Sequence, residues 1–173
     1  MEILGYKAFN SDFTNNYGIK FEVGKIYLAK GKIKFGTNGF HMCKNIEDTF
    51  RYFDALNNEI KICKVKGSGK IIESYDDYNE YYDIFAVSKL EILKLLSHKE
   101  VVDMGISLSD PRVERFISGY KLTKEEIEMF KEKFYYSDRI LKTIEYYQNN
   151  NLNIFEEGVK TYGQYNNKGR TRK

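Results

Sequence analysis

The side chains best suited to nucleophilic catalysis or to binding a soft metal ion are few in this 173-residue sequence: Cys43, Cys63, His41 and His98. Neither a C-x-x-C nor an H-x-x-x-H spacing occurs, so four scattered ligands would have to converge to hold zinc, and we expect no metal site. The opening of the chain carries no signal-peptide pattern. This favours reduced thiols, buried in neighbouring strands of a cytosolic protein, over a disulfide.

His41 lies in the apolar run Phe40 to Cys43, which predicts a short buried strand. Two interpretations of this side chain stay open. It is either a structural histidine with one hydrogen bond, or the titratable group of a cleft that it lines together with Tyr6 and Tyr52. Cys43 shares its face of the strand, but residues two apart do not reach the hydrogen-bond geometry of a nucleophile and its base, so we assign no catalytic residue.

The segment Gly67-Ser68-Gly69-Lys70 has the glycines and the lysine of a phosphate-binding loop. It lacks the full G-x-x-x-x-G-K-[ST] pattern, and no helix is predicted after it. The sequence therefore predicts a turn between two strands at this point.

Residues 73–83 form the most unusual segment, with five carboxylates, four tyrosines and no basic residue. A solvated loop is one interpretation. The other is an acidic, aromatic surface that occupies a basic groove of a nucleic-acid-binding partner, with carboxylates in place of phosphates and tyrosines that stack as bases do. The candidate contact residues for this second interpretation are Glu73, Tyr75, Asp76, Asp77, Tyr78, Glu80, Tyr81 and Asp83.

Residues 158–173 have the opposite character, with five basic and no acidic residues. The cations at its end are Lys168, Arg170, Arg172 and Lys173. The segment is either a solubilising end or a contact with the phosphate backbone of a nucleic acid, which would depend strongly on salt. The formal net charge of +3 thus conceals a separation of charge along the chain, which bears on partners rather than on fold.

The strand that contains His41 opens residues 39–65, the stretch around which the chain is organised. Asn45 is a favourable N-cap, and the apolar residues after it recur at steps of four and three, which predicts a helix over 45–56. Its apolar stripe consists of Ile46, Phe50, Phe53 and Leu56. Residues 59–66 then alternate as a strand.

The rest of the chain predicts strands first and helices afterwards. The predicted strands are 5–9, 21–27, 31–35, 70–72 and 84–87, with a hairpin that turns near Lys30-Gly31. Leucines at three-residue steps predict a short helix over 89–97. Further helices are predicted after Asp110-Pro111, after the capping box Thr123–Glu126, and over 138–148.

These patterns predict an α+β fold: a mixed, largely antiparallel sheet with the 45–56 helix packed on it, followed by a C-terminal helical section. We expect an α+β domain over 1–98, a helical section over 99–158 and a basic flexible tail over 159–173. Hydrophobic residues make up 42% of the chain, which is enough for a core. No apolar run approaches the ~20 residues that cross a bilayer, so we expect no contact with a membrane.

The segments GYKAF, FEVGKIY, GKIKF and GFHMCKN resemble the opening of a family of uncharacterised small proteins found in phages and prophages, and the likeness covers residues 1–97. The matching residues are Lys7, Ala8, Phe9, Phe21, Gly24, Lys25, Tyr27, Gly31, Ile33, Gly39, Phe40, His41, Cys43 and Asn45. The chain departs from the family at 35–38, where FGTN stands in place of a cysteine before GFH. The resemblance implies an origin in a mobile element and no assigned chemistry.

The order of strand GYKAF, strand GFHMC, a helix to Tyr52 and strand IKICKV also resembles ADP-ribosyltransferases, whose corresponding elements cradle a nicotinamide dinucleotide. That resemblance implies NAD as cofactor, bound by Tyr6, His41 and Tyr52. A transferase of this class also needs an acidic residue late in the chain, and the sequence assigns none.

We therefore expect a phage or prophage accessory protein that acts by binding in the host cytoplasm, without a cofactor. Its partner would be a host protein or nucleoprotein complex, with nucleic-acid mimicry inhibiting a defence system such as a CRISPR effector, and with the basic tail contacting phosphates. An ADP-ribosyltransferase-like enzyme that uses NAD is the alternative. The sequence predicts no oligomeric state.

Overall fold

The computed structural model describes residues 1–74 and 84–149. Within them the chain forms an antiparallel sheet followed by a helical section, which confirms the predicted α+β class. The strands are β1 (Glu2–Asn10), β2 (Ile26–Leu28), β3 (Phe40–Cys43), β4 (Ile60–Glu73) and β5 (Ile84–Leu95). The helices are α1 (His98–Ile106), α2 (Arg112–Gly119), α3 (Lys124–Lys133) and α4 (Asp138–Ile144), which continues as the π-helix Glu145–Asn149.

The paired strands of the sheet form a closed ring. The long strands β4 and β5 pair with each other, β1 pairs along the other edge of β4, and β3 pairs along the other edge of β5. β1 and β3 meet at one residue pair, Tyr6 with Cys43. This pair closes β1, β4, β5 and β3 into a small ring, to which β2 is attached through β5.

The inside of the ring is a compact apolar core. Its buried residues are Phe9, Phe21, Met42, Cys63, Val65, Phe85, Val87, Leu90 and Ile92. Met42 fits there because two of its neighbours are glycines: a Cβ at Gly67 would lie 2.7 Å from the Met42 sulfur, and a Cβ at Gly5 would overlap the carbonyl oxygen of Cys43. Glycine at these two positions lets the strands approach closely enough to close the ring.

A second apolar cluster joins the sheet to the helices. Ala8 of β1 and Ile62 of β4 pack with α2, whose Val113, Phe116 and Ile117 are fully buried. The helices are positioned by polar contacts at their ends. Thr123 and Glu126 form the predicted capping box of α3, and the buried amide of Gln148 donates to the backbone carbonyls of Ile117 and Tyr120. The helical section therefore shares its core with the sheet.

The prediction of a helix over 45–56 with Asn45 as its cap is wrong. The segment forms a 3-10 helix, Glu47–Arg51, whose N-cap is Ile46 without a side-chain hydrogen bond. The Asn45 amide instead donates to the carboxylate of Asp48 at 3.2 Å. The helix is short because its acidic first turn is fixed by contacts with α2, which are described below.

Three further local predictions are wrong for a different reason, which is that sheet pairing overrides the local pattern. Residues 21–27 and 31–35 form no hairpin, since β2 is confined to Ile26–Leu28 and pairs with β5. The expected turn at 67–70 lies inside the continuous strand β4, at an irregularity in its pairing with β5. The expected helix over 89–97 is the second half of β5.

Both cysteines are free thiols, and both are buried in strands as the sequence predicts. Cys43 ends β3 at the pair that closes the ring, and Cys63 lies in β4 within the inner core.

We predict that Gly5→Ala destabilises the protein by about 2–3 kcal/mol, because the added methyl group overlaps a backbone oxygen that cannot move aside. Urea unfolding measures the change. Leu4→Ala, at the exposed neighbouring position, is the control and should change the free energy of unfolding by less than about 0.5 kcal/mol. Equal stability of Gly5→Ala and the parent protein would show that the ring does not close at this pair.

Candidate functional site

A cavity opens where β1 and β3 separate. Beyond the pair of Tyr6 with Cys43, these two strands form no further residue pair, although continued antiparallel register would set Lys7 opposite Met42. The side chain of Lys7 occupies part of the gap, and its ammonium group donates a hydrogen bond to the backbone carbonyl of His41 at 2.7 Å. The cavity has a volume of about 560 Å³.

The walls of the cavity are aromatic and neutral. Two loops, which lie within 11–25 and 29–39, and the 3-10 helix enclose it together with β1 and β3. The aromatic side chains that line it are Tyr6, Tyr17, Phe21, Phe35, Phe40, His41, Tyr52 and Phe53. Asparagine and threonine supply further polar groups, and no carboxylate is among the lining residues of the described chain. Lys7 is therefore the charged group at this site.

Tyr6, His41 and Tyr52, which one of the two interpretations of His41 grouped in a cleft, all line this cavity. They come from three separate elements, since Tyr6 lies in β1, His41 in β3, and Tyr52 directly after the 3-10 helix. Tyr52 is 50% exposed, so its ring is open to solvent as well as to the cavity. Burial raises the pKa of both tyrosines, and their hydroxyls are therefore neutral hydrogen-bond donors at physiological pH.

His41 is held in one tautomer. Its Nε2 accepts a hydrogen bond from the backbone N–H of Gly36 at 3.0 Å, so the proton of the neutral ring lies on Nδ1. The Phe35 ring packs edge-on against it, with 5.0 Å between the ring centroids. Burial lowers the pKa of His41, and the nearby Lys7 cation lowers it further. His41 is thus neutral at pH 7, and its Nδ1–H has no hydrogen-bond partner among the described residues.

Lys7 is a site residue that sequence reasoning about function did not identify. Burial lowers its pKa from the ordinary 10.5 to about 8. Its side chain lies on the same face of β1 as Phe9, which belongs to the inner core, and the ammonium nitrogen is 5.7 Å from the centroid of that ring. The alternation of side chains between the two faces of β1 could have identified Lys7, because it places this lysine on the face of the strand that points to the core.

Cys43 lies at the bottom of the site but is no nucleophile at neutral pH. Burial raises the pKa of its thiol to about 12, and the nearby Asp48 carboxylate contributes in the same direction. The reactive form of a cysteine is the thiolate, which is not populated at such a pKa.

Two buried carboxylates lie on the 3-10 helix, outside the lining of the cavity. Glu47 is 2% and Asp48 1% exposed. Glu47 forms an ion pair with the Arg112 guanidinium, and the Arg115 guanidinium approaches Asp48 at 3.6 Å. Burial raises the pKa of Asp48. These pairs fix the 3-10 helix on α2 and thereby set the positions of the side chains that follow it.

Hydrogen bonds tie the two loops to the other walls. The Asn16 side chain donates to the carbonyl of Tyr52 at 3.2 Å, which joins the first loop to the end of the 3-10 helix. The Asn15 carboxamide oxygen accepts from the N–H groups of Tyr17 and Ile19, which shapes that loop. The second loop is joined to β3 through the contact of Gly36 with His41.

The remaining predicted site residues lie elsewhere. Glu73 is the last residue of β4 and is exposed. The other candidates for partner binding, from Tyr75 to Asp83 and from Lys168 to Lys173, lie outside the described residues. Ser74 and Ile84, the described residues on either side of 75–83, are joined by a hydrogen bond from the Ser74 N–H to the Ile84 carbonyl at 2.9 Å. Ile84 also lines the cavity.

His98 is remote from the cavity and holds the helices together. Its Nδ1 contacts the Tyr120 hydroxyl at 2.9 Å, and its Nε2 contacts the Glu126 carboxylate at 2.9 Å. Across residues 1–74 and 84–149, no cluster of three or more histidine, cysteine or acidic side chains is arranged to hold a metal ion. None of the helices in this part of the chain combines the length and the apolar character that crossing a membrane requires.

Comparison with known proteins gives one match. A family described as a domain of unknown function (DUF7666) matches residues 3–104, which is more than half of the chain and includes every residue named above as part of the cavity. No curated protein and no solved structure matches.

We predict that Lys7→Met stabilises the protein at pH 7. The pKa of Lys7 is lower in the folded than in the unfolded protein, so the unfolded chain binds more protons between pH 8 and 10.5. The cost of the buried ammonium is fully present below pH 8 and is lost as the pH rises to 10.5. The stability advantage of Lys7→Met should therefore shrink by about 1–3 kcal/mol over this interval, as measured by urea unfolding at each pH.

Lys64→Met, at an exposed position of the neighbouring strand β4, is the matched control for the loss of one positive charge. Identical pH dependence of stability in the parent protein and Lys7→Met would contradict the buried state of the Lys7 ammonium.

Proposed function

We propose that this chain, which belongs to the DUF7666 family, acts by binding a small molecule with a flat aromatic ring in the cavity between β1 and β3. The observation that supports this is the convergence of Tyr6, His41 and Tyr52 on one cavity from three separate elements. The volume of about 560 Å³ lies within the range of pockets that hold small ligands.

The walls suit a heteroaromatic ring better than an aliphatic or a cationic ligand. Aromatic side chains stack on the face of a ring at about 1–3 kcal/mol for each base in nucleic-acid complexes. The edges of such a ring need donors and acceptors, which the Nδ1–H of His41, the tyrosine hydroxyls and the carboxamide oxygen of Asn38 can supply. A cationic ligand is disfavoured, because the described lining holds Lys7 and no carboxylate.

We propose NAD as the first ligand to test. Its nicotinamide and adenine are flat heteroaromatic rings, and the residues that line the cavity include the three for which the resemblance to ADP-ribosyltransferases implies contact with a nicotinamide dinucleotide. Cleavage of a glycosidic bond passes through an oxocarbenium-like transition state that enzymes stabilise with carboxylates. Glu47 and Asp48 are committed to ion pairs outside the cavity, which favours binding over transfer. An ADP-ribosyltransferase-like enzyme remains the alternative.

We predict that NAD binds saturably in calorimetric titration and that Tyr52→Ala weakens binding about tenfold or more, because one stacking face of the cavity is lost. Tyr135→Ala is the matched control, since Tyr135 is 76% exposed after α3 and away from the cavity. Absence of saturable NAD binding, or equal affinity in Tyr52→Ala and the parent protein, would overturn this proposal. Release of nicotinamide that is lost in His41→Ala would instead support the enzyme.

The second candidate function is inhibition of a host defence nucleoprotein by a phage or prophage accessory protein in the host cytoplasm. The observation that favours it is the composition of residues 73–83, which contain five carboxylates and four tyrosines, and the cationic character of 158–173. Carboxylates can stand in for the phosphates, and aromatic rings for the bases, that a nucleic-acid groove receives. The resemblance to phage and prophage proteins supports the same proposal.

We predict that replacing Asp76 and Asp77 by Asn and Glu80 by Gln weakens binding to a nucleoprotein partner captured from host lysate, while stability changes by less than about 0.5 kcal/mol. Binding of the parent protein should also weaken with added salt, because exposed charges are screened over about 8 Å at physiological ionic strength. Deletion of residues 166–173 is the matched comparison for the basic end of the chain. Unchanged affinity of the triple variant for the partner at two salt concentrations would contradict nucleic-acid mimicry by residues 73–83.

A further inference from the structure

We infer that the ligand of the cavity carries an anionic group, a phosphate or a carboxylate, and that the Lys7 ammonium binds it. This inference rests on the proposed function. It adds the sign of the charge on the ligand and the residue that binds the charged group. Three observations carry it: the hydrogen bonds of Lys7, the charges around it, and its place in the gap between the strands.

The hydrogen-bonding capacity of Lys7 is mostly unused. A lysine ammonium has three donors, and one of them is directed to the His41 carbonyl. Within residues 1–74 and 84–149 no carboxylate lies within ion-pair distance of Lys7. Charges removed from water are normally paired or fully hydrogen-bonded, because unpaired burial is costly. Among the described residues, Lys7 departs from this rule.

The described titratable groups around Lys7 do not supply a negative charge. His41 and Cys43 of β3 are neutral at pH 7, because burial lowers the pKa of the histidine and raises that of the thiol. Cys63 of β4, which pairs with Lys7 across the strands, is neutral because burial raises the pKa of its thiol to about 11. Burial likewise raises the pKa of Tyr52, which follows the 3-10 helix, and its hydroxyl is neutral.

The acidic residues of the neighbouring 3-10 helix are already paired. Glu47 is bound to Arg112, and Asp48 is approached by Arg115, both from α2. No group among residues 1–74 and 84–149 therefore supplies the counter-charge of Lys7, and a ligand can do so.

The position of Lys7 suits this role. It lies in the gap that separates β1 from β3, next to aromatic walls where a ring would stack, so an anionic substituent of the ring can reach the ammonium group. A charge-assisted hydrogen bond is about twice as strong as a neutral one, and the shielded site strengthens it further. Binding of the anion also raises the pKa of Lys7 from about 8, so affinity is highest below pH 8 and declines above it.

The test compares two pairs of probes that share a ring and differ in charge: adenosine with AMP, and nicotinamide with nicotinate. We expect at least one anionic probe to bind the parent protein about tenfold or more tightly than its neutral partner. In Lys7→Met this preference should disappear, while Lys64→Met should keep it. Raising the pH from 7 to 9.5 should weaken binding of the anionic probe and leave binding of the neutral probe unchanged.

The outcomes separate the two proposals. Equal affinity for the neutral and the anionic member of both pairs, or a preference that persists in Lys7→Met, overturns the inference and leaves the ring site in place. Absence of binding for all four probes and for NAD overturns both. A preference confined to AMP identifies the group as a phosphate, and one confined to nicotinate identifies it as a carboxylate. Thermal unfolding of each variant verifies that a loss of binding is not a loss of fold.

Discussion

The architecture depends on one narrow contact, the residue pair of Tyr6 with Cys43 between β1 and β3. It closes the ring of strands, and the core inside that ring is buried only because the ring is closed. The contact is narrow for a steric reason, since Gly5 admits the Cys43 carbonyl and Met42 fills the space beneath it. Further pairing along β1 and β3 would fill the gap. The same contact that completes the core therefore leaves the cavity open.

The 3-10 helix, which forms one wall of the cavity, is held on α2 by charge as well as by apolar packing, since Phe50 also packs against Phe116 with 5.6 Å between the ring centroids. Burying the Glu47 and Asp48 carboxylates side by side costs several kcal/mol, and the two arginines of α2 offset this cost through ion pairs. Acidic side chains in the first turn are typical of a solvent-exposed helix start, where they interact favourably with the helix dipole. The tertiary structure uses the same carboxylates to hold a short 3-10 helix against α2, so that Thr49 and Tyr52 meet the cavity.

Sequence patterns predicted the fold class because buried strands and capped helices leave local signals, as at Phe40 to Cys43 and at Thr123. They failed where pairing partners decide the structure. The leucines of 89–97 have helical spacing, yet β5 accepts β4 on one edge and β3 and β2 on the other, which fixes the segment as a strand. Tyr6, His41 and Tyr52 were placed together from the order of elements. Lys7 was missed because its importance depends on where β1 and β3 separate, and no local pattern encodes that point.

The described charges next to the 3-10 helix form two systems, which the helix keeps apart. Behind the helix, carboxylates and guanidinium groups are paired, and in front of it a lysine faces neutral walls. A neutral side chain at position 7 could fill the gap between the strands without the cost of a buried cation. Packing alone therefore does not explain a lysine at this position. Its hydrogen bond to the His41 carbonyl uses one donor of three, and the other two are available to a ligand in a cavity whose described acidic neighbours, Glu47 and Asp48, are already in ion pairs.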